Sequence, residues 1–84
     1  MTNQTSNILS FSVIYEEAPE GGYVVYVPSL PGCHTQGETI EETEQNAKEA
    51  IILYLESLKE HKEKLPQELR ILQGKVEITY PFAT

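Results

Sequence analysis

The chain has 84 residues, the size of one domain, and its 13 acidic residues against 6 basic ones give a net charge of −7. A domain this short buries roughly 60 % of the surface that its unfolded chain exposes, so we expect modest stability and burial against a partner. Its single cysteine excludes an intramolecular disulfide. The acidic charge argues against nucleic acid as a direct ligand, because phosphate binding needs a basic face.

The start of the chain and its hydropathy predict a cytoplasmic protein. Residues 1–7 form a polar segment without periodicity, which we expect to be a flexible tail, and they lack the basic and apolar regions of a signal peptide. The sequence contains no apolar run long enough to span a membrane. We therefore expect the domain to cover residues 8–80, followed by a short tail at residues 81–84.

Three short strands are predicted in the first half of the chain. Apolar and polar residues alternate over residues 8–15, which is typical of a half-buried strand. Residues 18–22 read A-P-E-G-G and predict a turn, after which residues 23–27 alternate as the return strand. Residues 33–36 are short enough to be a third strand, in the middle or at the edge of the sheet. Phe11, Val13 and Tyr15 are expected on one face of the first strand, and Ser10, Ser12 and Ile14 on the other.

A stiff segment with the sequence V-P-S-L-P-G-C joins the second strand to the third. Pro28 and Pro31 have no backbone N–H and fix their own φ, so the chain must leave the sheet there in an extended turn. Gly32 and Gly37 mark the two ends of the third strand, where a positive φ or a close backbone approach is expected.

A capped helix is predicted from Ile40 to about His61. The sequence T-x-x-E lets the Thr39 hydroxyl cap the amide three residues on, while Glu42 reaches back to the Thr39 amide. Pro66 prevents any continuation of the helix. An apolar stripe within an arc of roughly 100° is expected to face the core, and it comprises Ile40, Thr43, Ala47, Ala50, Ile51, Tyr54 and Leu58.

The end of the chain is predicted to return to the sheet. Residues from Lys75 to Tyr80 alternate strictly, with Val76, Ile78 and Tyr80 on one face. Residues 69–72 are a candidate for a further extended segment. The predicted order is therefore β-β-β-α-β, an α+β fold with an antiparallel sheet and one helix packed on a face.

No catalytic, cofactor or metal site is predicted. Cys33 and His34 are the only pair that suggests a thiolate nucleophile beside an imidazole, but adjacent residues of a strand point to opposite faces. His61 lies at the far end of the helix, and no other cysteine or histidine is spaced to complete a metal site. We therefore expect a buried thiol and a surface imidazole ring.

The chain from about Phe11 to Pro66 resembles the HicB-like antitoxin domain of bacterial and archaeal toxin–antitoxin pairs. The similarity rests on the tyrosine- and valine-rich hairpin, on V-P-S-L-P-G-C, on the strand followed by G-E-T, and on the long helix. It implies a partial, degenerate ribonuclease H-like fold. It also implies a non-enzymatic antitoxin that binds and silences a small basic HicA-type toxin, which is an RNA-cleaving enzyme.

The resemblance leaves two further functions to weigh. Nuclease activity needs acids that converge from the first strand, the helix and a later strand, yet Glu16 and Glu17 lie only at the strand exit and Glu77 is alone on the last strand. An oligomeric binding or scaffold domain without a toxin partner is the stronger alternative. A neighbouring reading frame for a small, Lys- and Gly-rich protein would separate it from an antitoxin.

The sequence departs from the family pattern in two respects. Full-length members generally carry a second, DNA-binding module, and no ribbon-helix-helix or helix-turn-helix pattern is present here, so we expect no direct DNA or RNA binding. The helix starts in the family often read E-E-A, whereas this chain has Thr43 on the core stripe. Its hydroxyl can bond back to a carbonyl of the preceding turn, so the cost is small.

Charge and helical spacing select two candidate interaction surfaces. Acidic residues around the first half of the helix would attract a basic toxin, although a solvated helix face is the alternative. This set is inferred from charge and comprises Glu38, Glu41, Glu42, Glu44 and Glu49. Ile52 and Leu53 lie off the core stripe and Leu55 lies at its rim, so we expect a homodimer or higher oligomer that buries them.

Overall fold

A computed structural model of the protein describes residues 8–67 and 69–81. Three strands form an antiparallel sheet in the order β1-β2-β3, and one helix packs across β3 and β2. The elements in chain order are β1 (Ile14–Glu17), β2 (Tyr23–Tyr26), β3 (His34–Gly37) and α1 (Ile40–Glu60). The predicted α+β arrangement is confirmed for its β-β-β-α part.

The strand register separates a buried sheet face from an exposed one. Val25 pairs with Tyr15 on one side and with Thr35 on the other, and this central valine is completely buried beneath α1. The next row contains Tyr26 at its centre, between Ile14 and His34, and it faces away from the helix. Successive residues of the hairpin strands therefore face opposite sides of the sheet, as the alternating sequence predicts.

The segment between β2 and β3 forms the centre of the hydrophobic core. The Val27 N–H donates to the Cys33 carbonyl over 3.0 Å, and the Leu30 N–H donates to the Val27 carbonyl over 2.9 Å. These bonds fold the segment so that Val27, Leu30 and Cys33 are buried together. The residues that pack against them are Phe11, Val13, Ala50, Ile51, Tyr54 and Leu55. The V-P-S-L-P-G-C motif is thus explained by core packing.

The two glycines beside β3 have the roles predicted for them. Gly32 has a φ of +82°, in the left-handed region that favours glycine. At Gly37 an added Cβ would lie 2.6 Å from Thr43 Oγ1 and 2.8 Å from the Thr43 backbone nitrogen. Only glycine therefore lets the first turn of α1 approach β3 this closely.

The start of α1 is capped largely as the sequence predicts. The Glu42 N–H donates to Thr39 Oγ1 over 3.0 Å, and Thr43 Oγ1 donates to the Thr39 carbonyl over 2.6 Å. The prediction that Glu42 accepts from the Thr39 amide is wrong, because its carboxylate accepts from the Glu38 N–H instead. The carboxylate thus bonds to a donor one residue farther from the helix.

The predicted core stripe of the helix needs one correction. Ile40, its first member, is 38 % exposed, because the buried part of the stripe begins at Thr43 beside Gly37. Thr43 and Ala47 are buried, and the later members of the stripe are half-buried. The stripe therefore contacts the core from its second member onward.

The helix ends at Glu60, one residue from the predicted position, but Pro66 is not what stops it. Lys62 has a φ of +59°, and its N–H donates to the Lys59 carbonyl over 3.1 Å. The Glu63 N–H donates to the Leu58 carbonyl over 2.8 Å. This left-handed turn closes the last carbonyls of the helix before the proline is reached.

The predicted strand limits shift by one residue or more. β1 begins at Ile14 and not at residue 8, because only Ile14–Glu17 lies opposite β2 in the hairpin. Phe11 and Val13 nevertheless pack against the core, as the alternation predicts. β3 is an edge strand, and it starts one residue later than predicted.

The predicted last strand, Lys75 to Tyr80, is wrong for a single chain. Residues 69–81 form no helix or strand, and the candidate segment 69–72 is likewise not a strand. Val76 is 89 % exposed and Ile78 is 78 % exposed. A strand needs a neighbouring strand, and no ladder joins this segment to β1, β2 or β3. The predicted tail at 1–7, and the predicted tail at 81–84 except for Pro81, lie outside the described residues.

Candidate protein-binding site

An acidic cleft of about 680 Å³ lies between the β1–β2 hairpin and the start of α1. The hairpin turn is closed by bonds from the Ala18 N–H to the Gly22 carbonyl and from the Gly21 N–H to the Ala18 carbonyl, each 3.0 Å long. No lysine, arginine or histidine lines the cleft among the described residues. Its carboxylates belong to Glu16, Glu17, Glu20, Glu38 and Glu42.

The structure divides the five glutamates that the sequence grouped by charge. Glu38 and Glu42 line the acidic cleft, whereas Glu44 lies beside Tyr15 and Lys48 in a different groove. Glu41 and Glu49 are exposed on α1 and line neither surface. All five residues are exposed, but only two of them line the acidic cleft.

Sequence reasoning missed the contribution of the hairpin to this cleft. Glu17 pairs with Tyr23, and Tyr23 pairs with Gly37, so the sheet register carries the end of β1 toward the residue that precedes Glu38. Glu16 pairs with Val24 in the neighbouring row. The alternation of β1 and β2 predicted their pairing, but the position of Glu20 depends on the turn.

An apolar groove of about 440 Å³ lies between α1 and the chain that leads into β1. Burial, and secondarily the charge of Glu44, raises the pKa of the Tyr15 hydroxyl in this groove. The apolar walls consist of Leu9, Phe11, Val13 and Tyr15 on one side and Ala47, Ile51, Ile52 and Leu55 on the other. We call this surface the β1–α1 groove.

The predicted oligomer residues lie partly in the β1–α1 groove. Ile52 is 54 % exposed and Leu53 is 66 % exposed, as expected for residues off the core stripe. Leu55 is half-buried at the rim of the core, also as expected. Ile52 and Leu55 line the groove, whereas Leu53 does not.

Cys33 and His34 occupy the different environments that were predicted for them. Cys33 is buried in the core, and burial raises the pKa of its thiol. His34 is exposed, and its ring centroid lies 6.1 Å from that of Tyr26. A buried neutral thiol beside an outward-facing imidazole is not arranged as a nucleophile with its base.

Neither a metal-binding cluster nor a membrane-spanning helix is found in the described part of the chain. Within residues 8–67 and 69–81, no group of three or more His, Cys, Asp or Glu side chains is placed to hold a metal ion. Over the same residues, no helix combines the length and hydropathy needed to cross a bilayer. The two surfaces considered for protein binding are the acidic cleft and the β1–α1 groove.

Residues 11–81 match the family model described as the HicB_like antitoxin of bacterial toxin-antitoxin systems. The chain belongs to this family. The match covers all four elements of the fold and extends through the segment after the helix. The family assigned from V-P-S-L-P-G-C and its surroundings is therefore confirmed.

Curated relatives come from archaea and bacteria. UPF0150 protein Ta0767 of Thermoplasma acidophilum is 52 % identical over 60 residues, which are 71 % of this chain and 87 % of that protein. UPF0150 protein ssr1765 of Synechocystis is 44 % identical over 68 residues, or 81 % of this chain and 86 % of that protein. Antitoxin HicB 1 of Photorhabdus laumondii is 34 % identical over 76 residues, or 90 % of this chain and 49 % of that protein.

Proposed function

We propose that this HicB-like protein is an antitoxin that binds and neutralises a small basic HicA-type ribonuclease toxin, with no catalysis of its own. Membership of the antitoxin family supports the role. The observation that carries the choice of surface is the acidic cleft, which five glutamates line without a basic side chain among the described residues. We place the protein in the cytoplasm, where a toxin of this kind meets its RNA.

The charge of the cleft suits such a partner. An enzyme that cleaves RNA must hold a polyanion, so we expect its substrate-binding surface to be basic. Carboxylates on the antitoxin can contact that surface in place of RNA phosphates, and they also accelerate the encounter. The glutamates of the cleft come from β1, the hairpin turn and the start of α1, so the folded sheet and helix hold them together.

We propose in addition that the described domain does not bind DNA or RNA directly. The chain carries 13 acidic and 6 basic residues, and neither the acidic cleft nor the β1–α1 groove is basic. Nucleic acid binding requires lysine and arginine contacts to phosphates before any base can be read. Specific retardation of the protein's own promoter fragment at moderate salt would contradict this. We also propose a partial ribonuclease H-like fold, which the β-β-β-α order supports.

The alternative function is an oligomeric binding or scaffold domain that has no toxin. The exposed Ile52 and Leu53 favour an oligomer, but an antitoxin can also be oligomeric, so they do not separate the two functions. A neighbouring gene that encodes a small basic protein would support the antitoxin, and its absence would support the scaffold domain.

The direct test is an RNA-cleavage assay with the HicA-type protein encoded beside the gene. The wild-type protein should abolish cleavage at a stoichiometric ratio. The double variant Glu17→Lys/Glu20→Lys, which reverses two charges of the cleft, should need at least about tenfold more protein, since close charge pairs at an interface contribute about 1.5 kcal/mol or more.

The matched control is Glu49→Lys/Glu60→Lys, which makes the same change in net charge at two exposed positions of α1 outside the cleft. It should inhibit nearly as well as the wild type. Equal loss in both variants would mean that net charge matters and the cleft does not. Undiminished cleavage with the wild-type protein would contradict the antitoxin function itself.

A further inference from the structure

We propose that two copies of this chain exchange their C-terminal segments, so that residues 75–80 of each copy add a strand to the free edge of β1 in the other. In this arrangement Val76 and Ile78 of one copy enter the β1–α1 groove of the other. The inference concerns self-association and does not depend on toxin binding.

The sheet has one edge that is open to such a strand. β2 is central, so β1 and β3 are the two edges. At β3, the Asn46 side chain donates to the Gln36 carbonyl over 2.7 Å, and α1 packs beside the strand. At β1, no described strand pairs with the outer side of Ile14–Glu17. An unpaired edge is a template for a strand from another chain.

The groove beside that edge matches the pattern of the C-terminal segment. Its first wall is built from every second residue of the chain, at Phe11, Val13 and Tyr15. Residues 75–80 have the same period of two, with Val76 and Ile78 on one face and Lys75 and Thr79 on the other. A strand laid along β1 can therefore place its apolar face in the groove and its polar face in water.

Within a single copy this segment stays exposed. After α1, Leu65 and Pro66 share a small pocket with residues 8–11, and residues 69–72 share another with Ser12. The chain therefore runs along the residues that lead into β1. Beyond that point Val76 is 89 % exposed and Ile78 is 78 % exposed. A strand-forming sequence with a large exposed apolar face indicates a partner outside its own chain.

A second copy fits the open edge because each chain carries both halves of the contact. Each copy offers one free β1 edge with its groove and one segment that matches them. Reciprocal exchange about a twofold axis satisfies both halves at once and closes the assembly as a dimer. The exchange also buries Ile52 and Leu55 but leaves Leu53 outside, which separates this dimer from one formed by helix faces.

The first test compares two neighbouring substitutions in the segment by sedimentation equilibrium. Ile78→Asp places a charge on the face that enters the groove, and Thr79→Asp places the same charge on the opposite face. Both positions lie outside the folded core, so both variants should fold. We expect Ile78→Asp to raise the dimer dissociation constant at least tenfold and Thr79→Asp to raise it less than threefold. Equal effects would overturn the proposal.

The second test compares Ile52→Asp in the groove with Leu53→Asp beside it. Strand exchange predicts that Ile52→Asp weakens the dimer and that Leu53→Asp does not, whereas weakening by Leu53→Asp alone would indicate a helix-face dimer and overturn the exchange. In the wild type, amide exchange at residues 75–80 should slow as protein concentration rises. A stable wild-type monomer, or protection of these amides that does not depend on concentration, would also overturn it.

Discussion

The segment at residues 27–33 and the segment at residues 75–80 make an instructive pair, since both have a strong local pattern but only the first has its apolar side chains buried within the chain. Val27, Leu30 and Cys33 bond to one another and pack beneath α1. Val76 and Ile78 have equally regular spacing, yet they remain exposed. A pattern predicts which conformation a segment prefers, whereas the presence of a partner surface decides whether that conformation forms.

The largest contrast between the two segments should be in stability. Leu30→Ala removes a fully buried side chain and should lower the free energy of unfolding by about 2–5 kcal/mol, through lost burial and a residual cavity. Ile78→Ala should change it by less than about 0.5 kcal/mol, because the side chain is exposed in the single chain. Urea denaturation at concentrations where both variants are monomeric measures both values. Similar losses for both variants would mean that residues 75–80 pack into the folded domain of the single chain.

Two glycines provide a second contrast, Gly37 at the end of β3 and Gly74 just before residues 75–80. Gly37→Ala forces a methyl group against Thr43 and should cost about 1–3 kcal/mol of stability, because neither β3 nor the start of α1 can move freely. Gly74→Ala meets no atom within 4 Å and should change stability by less than about 0.5 kcal/mol. Thermal denaturation of the two variants measures both effects. If Gly37→Ala left the stability unchanged, the close approach of α1 to β3 at Gly37 would be refuted.

The buried thiol of Cys33 should make the stability of the protein depend on pH in the alkaline range. The pKa of Cys33 is raised by burial, so the unfolded chain loses its thiol proton at a lower pH than the folded chain does. The free energy of unfolding should therefore fall as pH rises above about 8.5, by at most about 1.4 kcal/mol per pH unit. Urea denaturation of Cys33→Ala between pH 7 and pH 10 should show a shallower fall. An unchanged slope would exclude the thiol as its cause.

A smaller gain in stability is expected from a substitution at Lys62, which follows the end of α1. This residue has a φ of +59°, so Lys62→Gly should relieve backbone strain and stabilise the protein by roughly 0.5–1 kcal/mol. Lys59→Gly, inside the last turn of α1, should destabilise it by about 1 kcal/mol. Thermal denaturation measures both changes in stability. If both substitutions stabilised the protein, or both destabilised it, the left-handed conformation at the end of the helix would be contradicted.

The fold could be predicted from the sequence wherever the decisive contacts are local. The period of two in β2, the T-x-x-E cap and the helical stripe each depend on neighbours a few residues away, and each predicts its element. The limits of β1 and the state of residues 75–80 depend on what lies opposite them in the fold. Local patterning does not contain that information.

The candidate site could be predicted only in part, for a similar reason. Glu38 and Glu42 were selected because they belong to a set of acidic residues around the first half of α1. Glu41 and Glu49 belong to the same set but do not line the cleft, and Glu16 and Glu20 reach the cleft only through the hairpin. The sequence therefore predicts that the domain is acidic, but the strand pairing decides which acidic residues share a surface.

The acidic cleft is most directly tested by the association rate with the HicA-type toxin, measured by stopped flow against ionic strength. The wild-type rate should fall steeply as salt rises, because screening shortens the range of the attraction to about 8 Å at physiological ionic strength. Glu17→Lys/Glu20→Lys should associate about tenfold more slowly at low salt and show a flatter dependence, while Glu49→Lys/Glu60→Lys should stay near the wild type. Identical rates and salt slopes for the two double variants would contradict the role of the cleft.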